Sequence, residues 1–349
     1  MLPRSIMPQV SWPAVPDPTG ALLLALQYQL DQSEVLPPDA LEGRQLDALH
    51  RLLRHAVGTV PYYRDTPGFA KLAGQEAITA EDWRQLPVMS RATLQGAGAG
   101  LHSTEVPAEH QPVTEVVTSG STGPPVRVLG TKVTGMFWQA ITLRDILWHR
   151  RDMGHKLAAI RADRSDQFPP GGMVLPNWAP FLEALYPTGE CALLGITRDI
   201  ATQAMWLVEQ DPAYILSYPS NVLALADHFQ AKGMSLPGLR EVWTYGEALR
   251  PELRPRCARA WGVRVIDMYS SQEVGYLALQ CPESHTYHVQ SESVYLEVLD
   301  GAGNPCPSGE VGRVVVSSLH NYASPLLRYE IGDYAAMGGP CGCGRTLPV

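Results

Sequence analysis

The chain has 349 residues, a net charge of −8, 18% charged residues and 45% hydrophobic residues. This length and apolar content allow a large core in more than one sub-domain, and the acidic balance argues against a nucleic-acid partner. The longest apolar run near the N-terminus, residues 21–26, is too short to span a membrane and follows three prolines, unlike a secretory signal. We therefore expect a cytoplasmic protein without a membrane segment.

The first part of the sequence favours helices. Residues 1–20 are rich in proline and predict irregular structure. Leucines at helical spacing then predict a helix over residues 41–57, and shorter helical segments are predicted around 80–86 and 90–94. We expect residues 1–112 to form an N-terminal helical region.

From residue 113 the pattern alternates between strands and helices, which is typical of an α/β fold with a mostly parallel sheet. The predicted strands are Val113–Thr118, Leu157–Ile160, Tyr214–Ser217, Glu241–Tyr245 and Val263–Met268. The predicted helices are Lys132–Arg150, Ser220–Lys232 and Pro251–Trp261. We expect this α/β core to cover residues 113–285. Residues 286–349 are predicted to form a β-rich sub-domain, with a strand pair at 293–299 and 312–319.

The segment Thr118-Ser119-Gly120-Ser121-Thr122-Gly123-Pro124-Pro125 follows the first predicted strand and is rich in glycine and hydroxyl groups. Glycines let the backbone fold closely around an anion, and hydroxyl and backbone N–H groups donate to phosphate oxygens. No Gly-Lys-Ser/Thr closes the segment, so it is not a Walker loop, and it lacks the dinucleotide-binding glycine fingerprint. The pattern predicts a phosphate clamp, with a polar surface turn as the alternative.

Three later segments place nucleotide-binding groups at predicted strand ends. Gly246, within Tyr245–Ala248, would let a flat ring approach the backbone. In the segment 267–273, an aromatic side chain could stack on a base and Glu273 could hold Mg²⁺. Asp333 could accept hydrogen bonds from ribose hydroxyls. Because ligands of open α/β sheets bind at the carboxyl ends of strands, these groups predict a nucleotide pocket.

Together these segments resemble the adenylate-forming superfamily of acyl-CoA synthetases, adenylation domains and luciferases. The loop is similar to its phosphate-binding motif, Tyr269-Ser270-Ser271-Gln272-Glu273 is similar to its Tyr-Gly-x-Thr-Glu motif, and Asp333 falls where its ribose-binding Asp is expected. The closer match is the phenylacetate–CoA ligase-like branch, through residues 55–64 and 86–91 and the absence of a lysine after Pro125. The resemblance spans residues 40–346.

The resemblance implies an enzyme that uses ATP and Mg²⁺ to convert a carboxylic acid to an acyl-adenylate and then to a CoA thioester. It implies catalytic roles for Thr122 and Glu273, with Glu273 as the Mg²⁺ ligand and Ser119–Gly123 around the phosphates. The other implied nucleotide contacts are Thr118, Gly246, Glu247, Ala248, Asp267, Met268, Tyr269, Ser270 and Asp333. Arg328 could contact phosphate, stabilise Asp333 or form an ordinary salt bridge.

The sequence departs from the family pattern in two motif positions and in length. Ser270 replaces the usual Gly and Gln272 replaces Thr, and both positions remain polar. The family carries a mobile C-terminal domain with a catalytic lysine, whereas this sequence ends at Val349 and none of its four lysines lies in that region. We expect either a truncated chain, which is the favoured explanation, or a partner that supplies the domain in trans, and poor turnover without it.

Two pairs of soft ligands lie late in the chain, Cys281-x6-His288 and Cys341-x-Cys343. Zn²⁺ takes four such ligands in a tetrahedral structural site. The branch resembled here carries cysteines and a histidine at these places, which implies a structural zinc, with His285 as a competing ligand. The alternative is a set of free thiols and a surface histidine, since Cys-x-Cys is tighter than the usual spacing.

The resemblance places the acid pocket near Tyr218, Pro219, Ser220, Tyr245 and Met268. An apolar wall with aromatic rings suits an aryl acid, although the same residues could belong to the core. Two other functions stay open: transfer to an amine or carrier protein, or activation of another oxyanion such as nitrite; and nucleotide binding without catalysis. A homodimer is a candidate assembly.

Overall fold

The computed structural model describes residues 2–117, 126–163 and 168–349. The chain divides into two compact units, each made of two separate stretches of sequence. The first unit contains Met1–Leu26 and Asp145–Tyr269, and the second contains Gln27–Arg144 and Ser270–Val349. The three regions predicted from the sequence are each one continuous stretch. This division of the chain stays a prediction.

The helices of the described residues follow the prediction for the long segments and add several others. They are α1 (Pro18–Ser33), α2 (Pro38–Thr59), α3 (Pro61–Asp65), α4 (Phe69–Ala73), α5 (Ala80–Arg84), α6 (Arg91–Ala97), α7 (Lys132–Trp148), α8 (Pro180–Glu183), α9 (Ile200–Gln210), α10 (Pro219–Lys232) and α11 (Leu253–Trp261). None of them combines the length and the apolar character that crossing a bilayer requires.

The strands of the described residues include every strand predicted from the sequence and several more. They are β1 (Val113–Val117), β2 (Arg127–Thr131), β3 (Leu157–Arg161), β4 (Met173–Leu175), β5 (Cys191–Gly195), β6 (Tyr214–Ser217), β7 (Glu241–Tyr245), β8 (Arg264–Ser271), β9 (Gly275–Gln280), β10 (Tyr287–Val289), β11 (Val294–Leu299), β12 (Val311–Ser318) and β13 (Tyr329–Ala336).

A mostly parallel sheet forms the centre of the first unit. Its strands lie in the order β8-β7-β6-β3-β5-β4, and only β4 runs antiparallel to its neighbour. Each parallel strand contributes to the core a side chain that is at most 1% exposed to solvent. These residues are Ile160, Leu194, Ile215, Val242 and Val265. Strands buried on both faces read as continuous apolar runs, which is why the sequence predicted most of them. The α/β fold class is confirmed.

The second unit holds antiparallel sheets. Strands β11, β12 and β13 form one sheet, as predicted for the pair at 293–299 and 312–319, and β9 pairs with β10. Strand β1 also pairs antiparallel, with β2. It therefore lies in a separate two-stranded sheet, and its grouping with the strands of the α/β core is corrected.

A short bridge joins the start of α6 to β13 inside the second unit. Met89 donates its backbone N–H to the carbonyl of Arg328 at 2.8 Å and accepts from the N–H of Glu330 at 2.9 Å. Ser90 then begins α6, because its hydroxyl accepts from the N–H of Thr93 at 3.1 Å as a helix N-cap. These backbone contacts fix the first residue of α6, Arg91, beside β13.

Candidate functional site

The predicted phosphate loop, Thr118–Pro125, lies outside the described residues. Its flanking strands are described: β1 and β2 pair antiparallel, with Val117 opposite Arg127. The assignment of Thr118, Ser119, Gly120, Ser121, Thr122 and Gly123 to the phosphates therefore stays a prediction.

The predicted adenine and acid groups of the first unit meet where β6 and β7 end. Gly246 has a φ of +77°, and a Cβ atom there would lie 3.2 Å from the ring of Tyr218. The rings of Tyr218 and Tyr245 lie 4.8 Å apart with a 34° tilt. The close approach and the left-handed backbone both require glycine at this position. The structure thus brings Tyr218, Tyr245 and Gly246 together.

Glu247 and Ser220, two other predicted site residues, bind each other. The carboxylate of Glu247 accepts from the backbone N–H of Ser220 at 2.9 Å and from its hydroxyl at 3.0 Å. Pro219 is buried and is the first residue of α10, so the carboxylate lies at the positive end of that helix. This arrangement orders the segment after β7 against the start of α10.

Asp267 is buried in β8 and contacts the neighbouring strand. The hydroxyl of Thr244, in β7, donates to its Oδ1 at 2.5 Å. This contact favours a role for Asp267 in aligning the two strands, ahead of the direct nucleotide contact predicted for it. Met268, Tyr269 and Ser270 follow it in β8 and are half-buried.

Glu273, the predicted Mg²⁺ ligand, lies in the turn between β8 and β9 of the second unit. Its side chain is 8% exposed, and Oε1 lies 3.4 Å from Nη1 of Arg91, which is 29% exposed. Arg91 is the last residue of the 86–91 segment that resembles the branch, and no role was predicted for it. The only sequence signal for Arg91 was its position directly after a helix N-cap. Its partner Glu273 is 182 positions away in the chain.

Asp333, the predicted ribose-binding residue, is exposed within β13 and follows Gly332, whose φ is +95°. Like Glu273 and Arg91, Asp333 changes the pKa of the Tyr329 side chain. The pKa of Tyr329 rises to about 12, mainly through burial, and then through the negative charge of Glu273; Asp333 also raises it, while Arg91 lowers it. The negative charges of Glu273 and Asp333 and the positive charge of Arg91 therefore all act on the pKa of the Tyr329 phenol.

Arg328 forms a buried ion pair, which was one of the alternatives left open by the sequence. Its guanidinium is 2% exposed and donates to both carboxylate oxygens of Glu297, at 3.1 and 3.0 Å. Nη1 donates to the carbonyls of Arg84, at 2.5 Å, and Leu86. Because these contacts occupy the planar group, the structure gives Arg328 a structural role in place of the phosphate or Asp333 contact.

The four predicted zinc ligands, Cys281, His288, Cys341 and Cys343, come together in the second unit, with all ligand atoms within 4.8 Å of one another. The Sγ atoms of Cys281 and Cys341 lie 3.7 Å apart, and Sγ of Cys343 lies 3.3 Å from Nε2 of His288. A tetrahedral zinc with ordinary bond lengths separates its ligands by roughly 3.3–3.8 Å. The donor set and its spacing therefore fit zinc.

The surroundings of this Cys/His cluster also suit a metal. Nδ1 of His288 lies 3.2 Å from the carbonyl oxygen of Leu347, which orients the ring with Nε2 toward the thiols. The backbone N–H of Cys343 is the main cause that lowers the pKa of the Cys341 thiol to about 6. Among the described residues, the cluster includes His288 and not His285, so the competing ligand is not part of it.

Comparison with known proteins identifies the family. The model of the AMP-binding enzyme family matches residues 40–323, which is most of the chain. The chain belongs to the AMP-binding enzyme family. This membership confirms the resemblance to adenylate-forming enzymes.

Relatives of this AMP-binding enzyme agree with the predicted branch. It is 28% identical to a phenylacetate-coenzyme A ligase of Thermus thermophilus over 345 residues, covering 92% of the chain and 71% of the relative. It is 26% identical to a phenylacetate-coenzyme A ligase of Pseudomonas putida, covering 87% of the chain and 68% of the relative.

The fold matches a solved structure as well. A 2-hydroxyisobutyryl-CoA ligase in complex with 2-HIB-AMP and CoA aligns with a TM-score of 0.70 at 21% identity, covering 91% of this chain and 75% of the other. At this identity the likeness shows the fold alone, and it confirms the adenylate-forming architecture of this AMP-binding enzyme.

Proposed function

We propose that this AMP-binding enzyme is an acid–CoA ligase that first forms an acyl-adenylate from ATP and a carboxylic acid. The observation that carries the proposal is the match of the AMP-binding enzyme family model to residues 40–323. Glu273, whose carboxylate lies 3.4 Å from Arg91, would hold Mg²⁺, and Asp333 would accept hydrogen bonds from the ribose. The phenylacetate-coenzyme A ligase relatives support CoA as the acceptor.

The reaction has two steps. The acid carboxylate attacks the α-phosphorus of ATP and pyrophosphate leaves; the thiol of CoA then displaces AMP to give the thioester. Mg²⁺, when held by Glu273, supplies neutralisation of phosphate charge. The residues of the chain position the reactants: Asp333 would hold the ribose, and the backbone at Gly246, opened by the missing Cβ, would admit the adenine ring.

The acid is proposed to be aromatic or similarly flat. The Tyr218 and Tyr245 rings, 4.8 Å apart, form an aromatic surface beside Gly246. Offset aromatic contact favours a flat substrate over a branched aliphatic one of similar volume. The half-buried Met268 would complete the wall on the neighbouring strand β8.

Nucleotide binding is the first test, because it does not depend on the lysine of the mobile domain. We expect Asp333→Asn to weaken binding of AMP by about tenfold in isothermal calorimetry, since it replaces a charged acceptor of ribose hydrogen bonds. Glu310→Gln, which changes an exposed carboxylate of the same unit, is the matched control. Equal affinities for the original chain and Asp333→Asn would contradict the ribose assignment.

Pyrophosphate exchange with a panel of acids tests the chemistry. Exchange that depends on an aryl acid supports adenylation, and thioester formation with CoA supports the second step. Product formation only with amines or a carrier protein would instead show the alternative acceptor. Nucleotide binding without acid-dependent exchange would show a non-catalytic module.

We propose that the Cys/His cluster binds one structural zinc ion. The support is the ligand spacing and the orientation of His288 described above. We expect one zinc per chain by elemental analysis of protein purified without chelator, and loss of the metal in Cys343→Ser. Cys306→Ser changes a thiol outside the cluster and should keep the metal. A metal-free preparation with a full set of reduced thiols would overturn the assignment.

A further inference from the structure

A polar pocket of about 200 Å³ lies in the first unit where the parallel strands begin. Tyr214, Glu241 and Arg264 are the first residues of β6, β7 and β8. The segment that follows α7 adds His149, Arg150, Arg151 and Asp152 to the wall. Arg240, which directly precedes β7, completes it.

Positive charge exceeds negative charge in this pocket. Its wall carries four arginines against the carboxylates of Asp152 and Glu241. Glu241 is shared, since Oε1 accepts from Nε of Arg151 at 2.5 Å and Oε2 from Nε of Arg264 at 2.6 Å. Asp152 lies 3.7 Å from the guanidinium of Arg240. Asp145, which pairs with Arg151 from behind the wall, is a third carboxylate, so the four arginines keep only a small excess of positive charge.

Arg151 is held rigidly within the wall. Its Nη1 donates to the carbonyl and to Oδ2 of Asp145, at 2.8 and 2.7 Å, and its Cζ lies 3.8 Å from the centre of the Trp243 ring. The side chain is 1% exposed. Within the described part of the chain, its buried Nη2 has no hydrogen-bond acceptor. Such a donor is available to a ligand that enters the pocket.

The rim of the pocket carries two accessible arginines. Arg150 is exposed and has a left-handed φ of 52°, which turns the chain out of α7. No ion pair involves its side chain among the residues that the structure describes. Arg240 is 50% exposed. A strained backbone in a non-glycine residue often marks a functional position.

We propose that this pocket binds a phosphate group, either inorganic phosphate or the phosphate of a small phosphomonoester. Guanidinium groups match tetrahedral oxyanions through paired hydrogen bonds, and the remaining positive charge suits an anion. The volume holds a phosphate but is below the range of pockets for larger ligands. The pocket lies at the start of β7, whereas Tyr245 and Gly246 follow its other end, so this site is separate from the proposed adenine contacts.

Trp243 offers a local readout, because its ring stacks against Arg151. Protein labelled with 5-fluorotryptophan is titrated with inorganic phosphate, and separately with glycerol 3-phosphate, at constant ionic strength. The fluorine NMR signal of Trp243 is assigned with Trp243→Phe. We expect a saturable shift of this signal with inorganic phosphate, and affinity at least about tenfold weaker in Arg150→Ala/Arg240→Ala.

The matched control is Arg256→Ala, which removes an exposed arginine of the same unit that pairs with Asp227. Its affinity for phosphate at Trp243 should equal that of the original chain. Tighter binding of glycerol 3-phosphate would identify a phosphomonoester as the ligand class, and equal or weaker binding would identify free phosphate. No saturable shift with either probe, or an unchanged affinity in the double variant, would overturn the proposal.

Discussion

Two arginine–glutamate pairs in the second unit differ in how completely they are enclosed. Arg328 and Glu297 are 2% and 7% exposed, form two hydrogen bonds with each other, and Arg328 also binds backbone carbonyls. Arg91 and Glu273 are 29% and 8% exposed and share one contact of 3.4 Å. Both pairs lie beside Tyr329, since Arg328 precedes it in the chain and Glu273 acts on its pKa.

The comparison separates a structural pair from a pair that can exchange partners. A bidentate arginine enclosed by carbonyls has fixed geometry and little capacity to meet a ligand. In the other pair the carboxylate is almost as buried, but Arg91 is 29% exposed and makes one longer contact, which leaves Glu273 able to turn to a cation. From the sequence, Glu273 was predicted to hold Mg²⁺, and Arg328 was left open between a phosphate contact, a contact with Asp333 and an ordinary salt bridge.

The largest expected effect is on stability, at the enclosed pair. Arg328→Met leaves Glu297 buried without its partner and should lower the free energy of unfolding by about 3–5 kcal/mol. Arg91→Met, the matched change in the other pair, should cost at most about 1 kcal/mol. Urea unfolding of both variants measures the difference. Similar losses in the two variants would remove the distinction between the pairs.

Glu273→Gln should show the opposite profile, with activity lost and stability kept. Removing the carboxylate that is proposed to hold Mg²⁺ should lower acid-dependent pyrophosphate exchange by about 100-fold. The free energy of unfolding should change by less than about 1 kcal/mol, because the contact with Arg91 is long and partly exposed. Full exchange activity in Glu273→Gln would rule out this residue as the metal ligand.

Arg91 should have a smaller effect, visible in the dependence on Mg²⁺. A cation beside Glu273 competes with the metal ion, so Arg91→Gln should lower the half-saturating Mg²⁺ concentration by about two- to threefold. Arg91→Lys keeps the charge and should stay near the original value. An increase in Arg91→Gln would mean that Arg91 assists metal binding, contrary to this account.

The smallest expected effect concerns His320, another enclosed group of the second unit. Its ring stacks on Phe137 at 3.9 Å, and Nε2 lies 2.6 Å from the carbonyl oxygen of Glu292. Burial is the main cause that lowers its pKa. The unfolded chain therefore binds more protons than the folded chain below about pH 6.5, and stability should fall as the pH falls through that range.

His320→Gln should flatten this dependence, because the amide does not titrate. Urea unfolding between about pH 5 and 8 covers the range in which free histidine titrates. His228→Gln, in the first unit, serves as the control and should keep the original slope. An unchanged slope in His320→Gln would show that another group causes the loss of stability.

The elements predicted from the sequence are those whose local pattern and tertiary setting agree. The strands β6 and β7 are short apolar runs with defined ends, and both have the predicted bounds. Helix α1 was missed because Pro18 looked like part of an irregular segment, although proline is well suited to the first turn of a helix. Strand β5 and helix α9 were also missed, although Asp199 is an N-cap signal whose side chain accepts from the N–H of Thr202 at 2.9 Å.

The candidate site residues were also predictable from the sequence only in part. The Cys/His cluster could be predicted because thiols and imidazole are rare and few arrangements bring them to one metal. The enclosure of Arg328 could not be predicted, since its partners Glu297, Arg84 and Leu86 are distant in sequence and two of them contribute only carbonyls. Burial, which decides whether an arginine is available to a ligand, is a property of the packed chain.

The Cys/His cluster has a further consequence for the chain between its two halves. A metal ion there would cross-link His288 to Cys341 and close a loop of the 52 intervening residues, 289–340. Loop-closure entropy for a cross-link of this length corresponds to about 4 kcal/mol against unfolding. The loop contains β11, β12 and β13, and therefore Asp333. The metal would thus act as a cross-link that disfavours local opening of β13, which carries the proposed ribose-binding residue, without needing an oxidised thiol pair.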